Sequence, residues 1–174
     1  MRNVKVISIF LILFSICFMF YLSFRDCYDI SVQNKIIDSV FSVDVEDSSG
    51  SSDYSGYIYI PSFNVKRLIK SGTSSDILDN GYVGILSGDL NSSDLIILAG
   101  HNIFTVFSSL HDISNGDYVF IRNSVIDRKF IVYNKIVVSE SDFSYFYNRN
   151  NELLLITCTD TAGYRLLVFL REDL

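Results

Sequence analysis

The sequence predicts an all-β domain, an antiparallel-dominated barrel or sandwich, carried behind one N-terminal apolar helix. Three observations predict it. Phe (14) and Tyr (11) are plentiful beside many Ile and Val, there is one Pro and no Trp, and such β-branched and aromatic content favours strands. Eight short apolar or alternating runs are separated by turn residues. Residues 6–24, VISIFLILFSICFMFYLSF, carry no charge.

That first run predicts a helix. At 1.5 Å per residue it spans roughly 28 Å, about the hydrocarbon thickness of a bilayer. Arg2 and Lys5 precede it, so residues 1–5 are expected in the cytoplasm and the remainder outside. The run ends Phe-Tyr-Leu-Ser-Phe-Arg, without the small-residue site of a cleaved signal peptide. A single-pass anchor over 6–24 is therefore expected, with the protein at the cell membrane. Residues 25–55 are expected as a juxtamembrane linker. Its early part, around Ile30, Ile36, Ile37, Val40 and Phe41, has partly helical spacing, and 44–53 is small, polar and acidic.

The domain proper is expected over 56–174. Strand candidates are 56–60 (stopped by Pro61), 65–69, 83–86, 94–100, 118–122, 129–138, 152–158 and 164–171. Residues 75–80 suggest one helical turn, capped by Ser74 or Ser75 and ended by Gly81. Residues 104–110 suggest a short helix. The run 94–100 is apolar throughout, which predicts burial on both faces. The net charge of −6 argues against nucleic acid as a partner.

Chemistry concentrates at two strand ends. Leu153-Leu-Leu-Ile-Thr157-Cys158 is an apolar strand that ends in a thiol, followed by a Gly-containing turn and a strand opening with Arg165. Counting by twos places Ile156 and Leu154 on the face of Cys158. If the strands form a hairpin, Cys158 and Arg165 meet at its turn end. Leu95-Ile-Ile-Leu-Ala-Gly100-His101 brings an imidazole to another strand end, and the small Ala99 and Gly100 permit close approach of a neighbouring segment. Thr157 is a candidate for shaping a substrate pocket, with a plain β-branched strand residue as the alternative. His111 is expected at the surface. Arg171, six residues beyond Arg165, is expected near the opposite strand end, about 20 Å away. Cys17 falls in the apolar segment and Cys27 at its outer edge. A Cys27–Cys158 disulfide is the weaker alternative for Cys158. No CxxC or Cys/His cluster suggests zinc.

Leu98-Ala-Gly-His101-Asn102, followed by Phe107-Ser-Ser-Leu110 and Asn115-Gly-Asp117, resembles the Gly-His, Phe-x-x-Leu and Gly-Asp pattern of sortases. Ile156-Thr-Cys158-Thr looks like the sortase Thr-Leu-x-Thr-Cys signature, and Arg165-Leu-Leu-Val168 like the Arg that opens the last strand. One departure is Leu154 or Leu155 where a Thr often begins the motif. Another is the short interval from Cys158 to Arg165. The resemblance covers 56 to the C-terminus. It implies a closed eight-stranded β-barrel, and a membrane-anchored cysteine transpeptidase using His101, Cys158 and Arg165. Cys158 would cleave an LPxTG-like signal of surface proteins and form a thioacyl enzyme. A cell-wall precursor or other amine would then resolve it. No cofactor is implied. Some sortases bind calcium, for which Asp89, Asn91 and Asp94 are the nearest oxygen-rich stretch, though such a loop is more often solvated. The pattern is class D-like or class A-like, since no second apolar segment follows Arg171 and no aromatic-bearing lid motif lies in 44–53. The competing classes are a non-catalytic barrel that binds a partner and a hydrolytic cysteine peptidase.

Overall fold

The computed structural model of the protein describes residues 2–41, 53–146 and 152–173. It contains a long helix α1 (Arg2–Val40), a short helix α2 (Ser75–Leu78) and eight strands. The strands are β1 (Gly56–Ile60), β2 (Val65–Ser71), β3 (Val83–Ser87), β4 (Ile96–Ala99), β5 (Tyr118–Arg122), β6 (Asp127–Ser139), β7 (Glu152–Cys158) and β8 (Tyr164–Glu172). They close into a barrel in the order β1-β2-β3-β4-β7-β8-β6-β5.

The expected all-β barrel and its strands are thus present. Six neighbour pairs are antiparallel, while β2–β3 and β4–β7 are parallel. A parallel pair needs a crossover connection. The β2–β3 crossover carries α2, and the β4–β7 crossover carries everything from His101 through β6. The helix expected over 104–110 is instead a turn followed by a 3₁₀ turn over Ser108–His111.

The barrel interior is filled by alternate residues of each strand, including Ile58, Leu98, Phe130, Leu155 and Val168, with Phe107 and Leu110 entering from the crossover after β4. A second cluster lies on the outer face of β4, β7 and β8: Ile97, Leu154, Ile156, Leu167 and Phe169. Tyr145 and Phe146, from the β6–β7 connection, pack over it. Two covered faces explain why β4 and β7 read as continuous apolar runs rather than alternating ones.

α1 does not stop where the uncharged run stops. It continues to Val40, so much of the stretch expected as a linker is helical. It is long and apolar enough to cross a membrane, and its side chains from Phe10 to Tyr21 are largely exposed. Its last turns dock on the barrel. Ile37 is 2% exposed, Asp38 pairs with Lys66 at 3.1 Å, and Phe41 packs on Tyr57 with ring centroids 5.5 Å apart. Arg67, buried beneath the helix, has its pKa lowered by desolvation, and Asp29 offsets part of this. Of the acidic stretch 44–53, all but Asp53 lies outside the described residues.

Arg128 locks the far end of the barrel. Its Nε and Nη2 donate to the two carboxylate oxygens of Glu172 at 2.7 Å each, and Nη1 donates to the carbonyls of Leu90 (3.0 Å) and Ser92 (2.7 Å). Both side chains are mostly buried. Removing one partner of such a pair leaves a poorly solvated charge. Glu172→Gln should therefore lower the unfolding free energy by roughly 3 kcal/mol in denaturant titration. An unchanged midpoint would refute this.

Candidate active site

The β4–β7 register builds the site. Ile96 to Ala99 pair in parallel with Leu153 to Ile156, and the Gly100 N–H donates to the Ile156 carbonyl at 3.1 Å. Ala99 lies opposite Ile156, so His101 and Cys158 each stand two residues further along neighbouring segments. Strands of one sheet run about 4.8 Å apart.

β7 and β8 complete it. They form the expected hairpin, with Cys158 directly opposite Arg165. Alternation fixes the faces. Leu153 and Leu155 point into the barrel, whereas Leu154 and Ile156 belong to the outer cluster, so Cys158 faces outward. On β8, Leu166 and Val168 point inward and Leu167 and Phe169 outward, which puts Arg165 on the face of Cys158. The thiol, the guanidinium and the imidazole-bearing segment gather at one end of the outer face of β4, β7 and β8.

Thr157 falls on the other face. It is 2% exposed, on the side of Leu155, and its hydroxyl has no hydrogen-bond partner. The structure therefore places it beneath the outer face rather than on it.

The loops beyond the strands hold the ends in place. A Cβ on Gly100 would lie 2.6 Å from Phe107 Cδ2 and 2.9 Å from Val106 Cγ1, so only glycine fits without displacement. The Phe107 N–H returns to the His101 carbonyl at 3.2 Å, and Asn102 Nδ2 donates to Asp160 Oδ1 at 3.2 Å. The latter ties the loop after β4 to the loop after β7. The β7–β8 turn is compact, with the Thr159 hydroxyl donating to the Thr161 carbonyl at 2.9 Å and Gly163 at φ 82°.

Two carboxylates missed in the sequence reading flank the group. His101 Nε2 lies 2.8 Å from Asp79 Oδ1, at the end of α2. Arg165 Nη2 lies 2.9 Å from Glu140 Oε2, just after β6. Both pairs are partly open to solvent. Such pairs contribute about 0–1 kcal/mol to stability, so their effect is on orientation.

His111 is not the surface residue expected. It is half-buried, and its Nε2 lies 3.4 Å from the Cys158 carbonyl oxygen. It therefore approaches the backbone of the nucleophile candidate. Arg171 pairs across from Glu152 and Ile131, at the other end of the hairpin. Cys17, Cys27 and Cys158 are all free thiols.

Asp89 Oδ1 accepts from the Asn91 backbone N–H (2.9 Å) and from Asn91 Nδ2 (3.2 Å), and Asn91 Oδ1 accepts from Asn123 Nδ2 (3.1 Å). Among the described residues no group of three or more His, Cys, Asp or Glu is arranged to hold a metal. A cleft of about 530 Å³ between α1 and the barrel is lined by Asn34, Arg67, Phe104 and Ser109, and none of His101, Cys158 and Arg165 borders it.

The fold and the placement of these residues define a sortase-like barrel. A family model described as the sortase domain matches residues 58–173, and the chain belongs to the sortase family. Sortase A of Listeria monocytogenes is similar in structure, with a TM-score of 0.64 and 22% identity over 71% of this chain and 89% of that one. Sortase C1 of Streptococcus suis gives 0.64 and 24%, over 83% and 96%. Sortase C of Clostridium perfringens SM101 gives 0.62 and 25%, over 86% and 89%. No curated protein matches the chain in sequence.

Gly100→Ala should push a methyl group into Phe107 and displace the start of the His101 loop. A loss of about 1–3 kcal/mol in stability is expected, as for other overpacked sites. Thermal unfolding checks it, and an unchanged melting temperature would show that the loop yields freely.

Proposed function

We propose that the chain is a membrane-anchored cysteine transpeptidase in which Cys158 is the nucleophile, His101 the proton-transfer group and Arg165 the oxyanion stabiliser. The observation that carries this reading is the register. It sets Cys158 opposite Arg165 and brings the segment after Ala99 alongside the end of β7.

The chemistry follows from the residue types. The thiolate is the reactive form of cysteine, and the Arg165 guanidinium supplies fixed positive charge beside it. Sγ of Cys158 attacks the carbonyl carbon of the scissile Thr–Gly-type bond in an LPxTG-like signal. The carbonyl oxygen becomes an oxyanion, and Arg165 hydrogen-bonds to it. The imidazolium of His101 gives a proton to the leaving amine, and a thioester remains on Cys158. An incoming amine attacks that thioester and loses a proton to His101, and the sulfur departs as thiolate. Atoms and charge balance without a cofactor. Glu140 must share Arg165 with the substrate, and its solvent-exposed pairing is weak enough to exchange.

The outer apolar cluster of Ile97, Leu154, Ile156 and Leu167 is buried under Tyr145 and Phe146, and it backs the strand ends that carry Cys158 and Arg165. The donor would be a surface protein with a C-terminal signal, and the acceptor a cell-wall precursor or another amine. We take the subclass as class D-like or class A-like, the reading that the sequence pattern suggests. The run 6–24 would cross the membrane once, with residues 1–5 inside and the barrel outside. Calcium has no role in this reading.

Incubation with an LPxTG-type peptide should accumulate a thioester on Cys158, seen as a mass increase on that residue. Cys158→Ala should abolish both adduct and turnover. Retention of full activity in Cys158→Ala would sink the proposal. Product analysis with and without added amine separates transfer from hydrolysis.

The two histidines and the arginine are distinguishable by substitution. His101→Ala should lower kcat/KM by about 10²–10⁴. Arg165→Lys should lower it by about 100-fold or more, because an ammonium lacks the planar fork. His111→Ala should stay close to wild type. Loss of turnover in His111→Ala with His101→Ala close to wild type would exchange their roles.

A further inference from the structure

The end of α1 that leaves the membrane reaches His101 through a short series of contacts. Gln33 is 4% exposed, clamped between α1 and the barrel. Its Oε1 accepts from the Leu68 N–H on β2 at 3.2 Å. Its Nε2 donates to the Gly81 carbonyl at 3.2 Å and the Asn80 carbonyl at 3.4 Å. Those carbonyls belong to the turn that directly follows Asp79. Asp79 Oδ1 in turn lies 2.8 Å from His101 Nε2.

The turn is short and leans on its surroundings. α2 has four residues and its Ser74 cap makes no side-chain hydrogen bond. A helix so short has no stability apart from its surroundings. Gly81 sits at φ 70°, with the Gln33 amide nitrogen 3.7 Å from where a Cβ would stand. Asn80 Nδ2 closes the turn onto the Asp76 carbonyl at 2.6 Å. Gln33 thus holds the turn against β2, and the turn sets where the Asp79 carboxylate points.

A carboxylate on Nε2 has a definite consequence for an imidazole. It accepts the Nε2–H, fixes the ring plane and leaves Nδ1 as the nitrogen free to exchange a proton. We propose that Asp79 and Gln33 are positioning residues for His101: Asp79 fixes the ring and its tautomer, and Gln33 carries the docked α1 helix into that arrangement. The anchor helix is then a working part of the site as well as a tether. This rests on the assignment of His101 as the proton-transfer group.

The test uses the full chain in lipid nanodiscs, with an LPxTG-type peptide and an amine acceptor. Asp79→Ala should lower kcat by about 10- to 100-fold, since a misplacement of 1 Å costs up to that order, with KM little changed. Gln33→Ala and Gln33→Glu should lower kcat several-fold, also without a change in KM. The double variant Gln33→Ala/Asp79→Ala should be no slower than Asp79→Ala, because Gln33 acts through Asp79. Asp79→Asn, which keeps an acceptor oxygen, should recover part of the loss. With ¹⁵N-labelled histidine, the His101 ring should show one Nε2–H tautomer in the wild type. It should show a mixture in Asp79→Ala and a smaller shift the same way in Gln33→Ala. Independent, multiplicative losses in the double variant, or unchanged kcat and ring signals in both single variants while His101→Ala is inactive, overturn the inference alone. Full turnover in His101→Ala overturns the assignment of His101 and the inference with it.

Discussion

The parallel pairing of β4 with β7 is the constraint on which the rest depends. Ile96–Ala99 and the matching residues of β7 come from stretches more than fifty positions apart, joined only by a crossover that includes β5 and β6. Their pairing buries apolar side chains on both faces, with Leu98 and Leu155 inside and Ile97 and Leu154 outside. At about 25 cal/mol per Å² of apolar surface, such two-sided burial favours one register strongly, because a shift of one residue would exchange the two faces. Register in turn decides which residues stand at the strand ends. The site is therefore specified by side chains that take no part in its chemistry.

Much of this was legible in the sequence. All eight strands lie close to the runs read from apolar spacing and turn residues. The hairpin of β7 and β8 followed from the turn between Cys158 and Arg165. The period of two already placed Ile156 and Leu154 with Cys158, whereas Thr157, read from the sequence as a candidate for the substrate pocket, is buried on the opposite face. What the sequence did not show was distance between remote segments. Asp79 ends a four-residue helix and precedes His101 by 22 positions. Nothing in its neighbours marks it, because the β2–β3 crossover alone brings it to the imidazole. Glu140 and Gln33 were hidden for the same reason. His111 looked like a loop residue because the 3₁₀ turn that carries it folds back over the barrel mouth.

The end of α1 shows a different limit. Ile30, Ile36 and Ile37 hinted at a helix, but an apolar stripe does not name the surface that receives it. The surface is β2, and the choice is made by polar groups. Gln33 satisfies a buried β2 N–H that would otherwise lack a partner, and it also bonds two turn carbonyls. Asp38 meets Lys66, and Asp29 lies near the buried Arg67. Apolar contact with Ile37 supplies the burial, and the amide supplies the register.

One consequence concerns leverage. Between Arg2 and Val40 the chain has neither glycine nor proline, and the helix is continuous. Sharp bends in helices occur almost always at such residues or at local insertions. A tilt of the apolar shaft is therefore passed along one unbroken helix to the turns that dock on β2 through Gln33 and Ile37.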